Sequence, residues 1–134
     1  MKEINKIQKL NLELIRLSSF NEFDGERVVK DLENNRELWK GVVMDRADYC
    51  FHDRAESDMR INLIKLRDID SNIWNVDTLF IIAEDGREDE LELLASTWGA
   101  EEVDWIYKKD GERMLGHYNP HDKKDKLILR VWWD

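Results

Sequence analysis

The chain is poor in the residues that form disulfides, metal sites and rigid linkers. It contains one cysteine, one proline, three histidines and six glycines among 134 residues. A single cysteine forms no disulfide within the chain and excludes a zinc site built from several cysteines. We therefore expect a reducing compartment, and name the cytoplasm. The scarcity of proline and glycine argues against a disordered or loop-rich chain.

Long apolar runs and an excess of basic residues are also absent. No run approaches the roughly 20 apolar residues that a membrane-spanning helix needs, so we expect no membrane partner. The chain carries 21 Lys and Arg against 30 Asp and Glu, a net charge of −9. Phosphate backbones repel such a chain, and we expect no nucleic-acid partner. A length of 134 residues predicts one domain, 1–134.

The clearest pattern predicts a strand, a helix and a second strand over residues 78–107. Residues 78–83 read TLFIIA, an apolar run typical of a strand buried on both faces. Asp85 is a good N-cap for a helix over about 86–98. Alternating apolar residues over 103–107 predict the second strand. Two strands joined by a helix in this way form a βαβ unit, in which the strands are parallel.

Two helices are predicted before this unit. Residues 3–18 have apolar residues at helical spacing, and a second helix begins after Asp24 and ends near residues 34–35. The residues that define the apolar face of the first helix are Ile4, Ile7, Leu10, Leu14 and Leu17, and Leu12 and Ile15 widen it. That face fits either the sheet or a second copy of the chain, so the sequence leaves a homo-oligomer open.

The remaining patterns predict strands. They cover residues 38–44, 60–67, 114–118 and 126–133. Asp110-Gly111 predicts a hairpin turn before the strand at 114–118, and residues 46–58 fit either a strand or a loop. The predicted fold class is therefore α+β: a single domain with a mixed, mostly antiparallel sheet of about five or six strands, one βαβ unit (78–107) and two N-terminal helices.

The negative charge is concentrated in one segment. Residues 84–104 hold nine acidic residues and one basic residue, a charge of −8 within a chain of −9. Such a run is usually a solvated helix face, and the functional alternative is a docking surface for a basic protein partner. Trp132 joins this surface, because Trp132 and Trp133 are strand neighbours and face opposite ways. The predicted partner-binding residues are Glu92, Glu101, Glu102, Asp104 and Trp132.

The histidines and the cysteine provide the alternative, a site of catalysis. His117 and His121 could bind a metal ion from a loop, although Pro120 between them excludes a shared helix face. Cys50 and His52 lie two residues apart and would point the same way from a strand. Solvated histidines and a small core cysteine are the simpler interpretation. No glycine-rich nucleotide loop is present, and we expect no cofactor.

Two hypotheses of function follow. The leading one is a small cytoplasmic protein that binds or regulates a basic partner. Its sharper form is an inhibitor or an immunity-like protein that presents carboxylates where nucleic-acid phosphates would bind. The alternative is a small metal- or thiol-dependent enzyme with a site near His52, His117 and His121.

Overall fold

The computed structural model describes residues 2–46, 66–116 and 124–134, which form five α-helices and six β-strands. The helices are α1 (Lys6–Arg16), α2 (Gly25–Asn34), α3 (Leu66–Asp70), α4 (Glu88–Ala95) and α5 (Lys108–Leu115). The strands are β1 (Ser19–Phe20), β2 (Phe23–Asp24), β3 (Trp39–Asp45), β4 (Thr78–Ala83), β5 (Glu102–Tyr107) and β6 (Lys126–Trp132). A short 3₁₀ helix, Arg36–Leu38, leads into β3. The predicted α+β class is confirmed.

Four strands form the main sheet, in the spatial order β3-β4-β6-β5. Every neighbouring pair is antiparallel. The strand that comes last in the chain, β6, therefore lies inside the sheet, and β3 and β5 are its edges. The remaining two strands, β1 and β2, form a separate antiparallel ribbon between α1 and α2.

The predicted βαβ unit is wrong in its pairing. Both of its strands exist, β4 at the predicted residues and β5 one residue longer than predicted. Each is antiparallel to β6, which separates them, so they run in the same direction without being neighbours. β6 suits this place because Leu129 and Val131 face the core, and Arg130 forms ion pairs with Glu102 and Asp104 of β5. The main sheet thus has four described strands, fewer than the five or six predicted.

The predicted hairpin turn at Asp110-Gly111 is also wrong, because both residues lie inside α5. Gly111 is buried, and a Cβ there would lie 2.9 Å from the side chain of Leu127. Glycine thus allows α5 to approach β6 closely. The helix ends at Gly116, whose φ of 69° is left-handed. Packing against β6 overrides the local turn signal, and residues 114–116 form no strand.

Two further strand predictions fall largely outside the described residues. Of the strand predicted at 60–67, only Leu66 and Arg67 are described, and they begin α3. Of the region 46–58, only Arg46 is described, directly after β3. The helix predicted after Asp24 is present as α2, and the Asp24 carboxylate accepts a hydrogen bond from the Arg27 amide at 3.3 Å.

The hydrophobic core lies between one face of the sheet and the helices α1, α2 and α4. The sheet contributes Trp39, Val42, Met44, Leu79, Ile81, Ala83, Leu129, Val131 and Trp133, and the helices contribute Leu12, Ile15, Val28, Val29, Leu32, Leu91 and Ala95. Trp98, which follows α4, is 2% exposed, as its spacing predicted. Its indole Nε1 donates to Asp31 Oδ2 at 2.9 Å and so joins α4 to α2.

The helix α1 buries only part of the apolar side that was predicted. Its buried residues are Leu12 and Ile15. The side chains of Ile7, Leu10, Leu14 and Leu17 face solvent. The prediction is wrong in part because α1 has two apolar faces, and the core buries the one that contains Leu12 and Ile15.

Gln8 fixes α1 against the edge strand β3. Its side-chain Nε2 donates to the Val42 carbonyl at 2.7 Å, and its Oε1 accepts from the Val42 amide at 3.0 Å. These are the backbone groups that a further strand would use. The edge of β3 is therefore blocked by a side chain, which protects it against pairing with another chain.

The contact between α1 and α2 leads to a prediction about Gly25. A Cβ on Gly25 would lie 2.0 Å from the Ile15 carbonyl oxygen and 2.3 Å from that of Ser18. We expect Gly25→Ala to lower the free energy of unfolding by about 3 kcal/mol, because backbone atoms must move. Urea denaturation measures this, with the exposed Lys30→Ala in the same helix as the control. A loss below about 1 kcal/mol would contradict the close contact.

Candidate protein-binding surface

The acidic segment 84–104 is largely neutralised by folding. Among the described residues, seven of its nine carboxylates lie within 4.0 Å of a basic nitrogen; the exceptions are Glu92 and Glu101. Five of the bases come from other parts of the chain: Lys2, Lys40, Lys124, Lys126 and Arg130. Counting these five bases reduces the local charge from −8 to −3.

The predicted acidic partner-binding residues fall into two groups. Glu102 and Asp104 both contact Arg130, at 2.9 and 3.3 Å from Nη1. Glu92 accepts a hydrogen bond from the indole nitrogen of Trp105. Glu101 is exposed and makes no ion pair within the described part of the chain. Glu101 is thus the predicted residue that presents its charge most freely to solvent.

Asp85 does not cap a helix, contrary to the prediction. The N-cap of α4 is Arg87, which makes no side-chain capping bond. Asp85 Oδ1 instead lies 3.1 Å from the ammonium groups of both Lys40 and Lys124. The hydrogen bond from Lys124, and then that from Lys40, lowers the pKa of Asp85. Asp85 therefore connects β3 to the residues that precede β6.

The contacts of Asp85 with Lys40 and Lys124 predict how the stability of the fold depends on pH. Because the folded pKa of Asp85 is lowered, its stabilisation is complete above the unfolded pKa of about 3.9 and is lost as the pH falls through the folded pKa. We expect Asp85→Asn to lower the melting temperature at pH 7, and this difference to shrink in acid.

The control is Asp89→Asn, since Asp89 is 94% exposed and lies 3.8 Å from Lys126. Its melting temperature at pH 7 should stay near that of the wild type. A difference between Asp85→Asn and the wild type that is equally large at pH 7 and below about pH 3 would show that the carboxylate charge is not its cause.

Trp132 lines an open groove at one end of the sheet. The cavity has a volume of about 660 Å³. One wall comes from the end of α1 and from β1, and the other from the chain between α3 and β4. Its apolar lining residues are Leu14, Leu17, Phe20, Ile69, Ile73, Trp74, Val76, Trp132 and Trp133. Trp132 is half-buried here, whereas Trp133 is 1% exposed and belongs to the core.

The inner wall of the groove is held by an aromatic cluster. The ring centroids of Phe23 and Trp133 lie 4.6 Å apart, and those of Phe20 and Phe23 lie 5.3 Å apart. The Trp133 indole nitrogen also donates to the Trp98 carbonyl at 3.2 Å. These contacts join the groove wall to the core, so the groove is largely preformed.

The mouth of the groove combines exposed apolar side chains with acidic ones. Leu17, Ile69 and Ile73 are 83, 55 and 53% exposed. The described lining includes Asp77 and Asp134 and contains neither lysine nor arginine. The sequence interpretation missed Ile69 and Ile73, because they stand among turn-forming residues and show no periodicity.

Two of the predicted acidic residues lie beside Trp132. The Glu101 amide donates to the Trp132 carbonyl at 2.9 Å. Glu102 is the cross-strand partner of Trp132 in the β5–β6 ladder. The fold thus brings Trp132, Glu101 and Glu102 together, while Glu92 lies apart from them on α4.

The predicted metal ligands His117 and His121, and the Cys50–His52 pair, lie outside the described residues. Within residues 2–46, 66–116 and 124–134, no three His, Cys, Asp or Glu side chains are grouped to hold a metal ion. No helix in the same ranges is long and apolar enough to cross a membrane.

Comparison of the chain with protein-family models, with curated proteins and with solved structures found no match in any of the three.

Proposed function

We propose that this chain is a small cytoplasmic binding protein that holds an apolar, basic segment of a partner protein in the groove beside Trp132. The observation that carries the proposal is the groove itself, an open cavity of about 660 Å³ with exposed leucine and isoleucine side chains around its mouth. Clustered exposed apolar side chains beside a preformed cavity are typical of a binding site.

The negative charge around the groove favours a partner segment with basic residues. The described part of the groove lining includes two aspartates and neither lysine nor arginine, and Glu101 and Glu102 lie beside Trp132. An apolar segment flanked by lysine or arginine complements such a surface. A partner with acidic flanks would be repelled, on a chain that already carries −9.

The acidic residues act mainly on the rate of association. Glu102 and Asp104 are held by Arg130, so replacing either carboxylate also disturbs an internal ion pair. Glu101 has no such role, and its charge is available to attract a basic partner. An inhibitor or immunity-like protein, which blocks a basic surface on another protein, is the specific form of function that suits this arrangement.

A site-specific photocrosslinker at Ile73 tests the proposal in cells that make the protein. Ile73 lines the groove and is 53% exposed. The matched control position is Leu93 on α4, which is 71% exposed and lies outside the groove lining. We expect a discrete protein adduct from position 73 and none from position 93.

The partner protein identified from the adduct is then purified, and its affinity for variants of the chain is the decisive measurement. Ile73→Ser should weaken its binding by about tenfold or more, whereas Leu93→Ser should leave the affinity unchanged. Both variants should melt like the wild type, because both side chains are exposed. Equal adducts from the two positions, or equal affinities of the two variants, would remove the groove as the binding site.

A charge reversal tests the role of Glu101 in the same pair of proteins. We expect Glu101→Lys to slow association several-fold, and the effect to decrease as salt is added. Asp125→Lys is the control, because Asp125 is exposed at the other end of β6. Stopped-flow kinetics that show equal association rates for the two variants would contradict the steering role.

A further inference from the structure

The outer face of α1 is apolar along its whole length. Ile7, Leu10, Leu14 and Leu17 are 76, 60, 44 and 83% exposed. Their alternating spacing of three and four residues is the a/d pattern of a coiled-coil seam. The opposite face of α1 is already buried through Leu12 and Ile15. The helix thus carries a second apolar face that the fold does not need.

We propose that this face binds the same face of a second copy of the chain, with the two α1 helices antiparallel about a two-fold axis. A coiled-coil seam is completed by another helix with the same spacing, and a second copy supplies one. We call the row of Ile7, Leu10, Leu14 and Leu17 the stripe. In a two-fold dimer the contact is isologous, so the stripe of one copy contacts the stripe of the other, and Ile7 lies near Leu17 of the second copy.

The charges at the two ends of the stripe favour the antiparallel arrangement. Lys6 and Lys9 are exposed beside Ile7 and make no ion pair within the described chain. At the other end, Leu17 shares the groove lining with Asp134, which is exposed. An antiparallel pair places the lysines of each copy near this carboxylate of the other. A parallel pair would place like charges together.

Arg16 does not change this pattern. Although it lies near the end of α1, its guanidinium is within 3.4 Å of the carboxylates of Glu13, Glu26 and Glu33. Its charge is therefore neutralised inside the same chain. The stripe keeps a basic beginning and an acidic end, a charge pattern that favours the antiparallel contact over the parallel one.

The dimer should be weak. α1 has 11 residues, so its seam is only about 16 Å long. A contact of this size falls below the area of most stable interfaces, and we expect a dissociation constant of roughly 10–100 µM. Such a dimer forms at high protein concentration and dissociates on dilution.

Analytical ultracentrifugation of the full chain over a concentration series tests the proposal. We expect a reversible monomer–dimer equilibrium for the wild type and at least a tenfold weaker one for Leu10→Gln and Ile7→Gln. Leu93→Gln, a matched change of an exposed leucine on α4, should dimerise like the wild type. A wild type that remains monomeric up to about 1 mM would overturn the proposal.

An exchange of charges between the two ends of the stripe tests whether the two α1 helices are antiparallel. Lys6→Glu and Asp134→Lys should each weaken the dimer about fivefold or more, and the double variant should recover most of the loss. Lys30→Glu, at an exposed position on α2, should have little effect. A double variant weaker than either single variant would contradict the antiparallel contact.

Leu14 and Leu17 belong both to the dimer contact and to the groove lining, so the two proposals are told apart by residues that belong to only one of them. Ile73 lines the groove and is no part of α1, whereas Ile7 and Leu10 do not line the groove. Ile73→Ser should therefore leave the dimer intact. Suppose instead that the wild type is monomeric and that Leu10→Gln abolishes the crosslink of the partner at position 73. The stripe then binds that partner, and the proposal of self-association is wrong.

Discussion

The place of β6 between β4 and β5 is the constraint on which the rest of this structure depends. Val131 lies opposite Leu79 in one ladder and opposite Val103 in the other, so a single residue of β6 connects both halves of the sheet. Leu129, Val131 and Trp133 also face the core. The sheet cannot close until residues far apart in the chain have paired, which makes the fold dominated by non-local contacts.

The same strand creates both features of the binding surface. β6 ends at Trp132, which it places at the groove, with Trp133 anchored in the core directly after it. Lys126 and Arg130 face the acidic residues of α4 and β5. The acidic segment therefore contributes less net charge to the surface than its composition predicts. What remains is an apolar groove with an acidic mouth.

Local patterns predicted local structure, and non-local contacts account for what they missed. The apolar run of β4 and the Asp24 cap of α2 depend on neighbouring residues, and both were found in the sequence. The pairing of β5 with β6, the helix around Gly111 and the outward stripe of α1 depend on residues distant in the chain. Of the binding surface, Trp132 was predicted from its position beside Trp133. The groove was not, because its two walls are far apart in sequence.

The most direct test of this account is the NOESY spectrum of the labelled protein, read at the backbone protons of Val131. The structure predicts cross-strand contacts from Val131 to Leu79 on one side and to Val103 on the other. It predicts no backbone contacts between β4 and β5. Cross-strand contacts that join β4 directly to β5, with Val131 missing from one of its two ladders, would contradict the central position of β6 and the groove that depends on it.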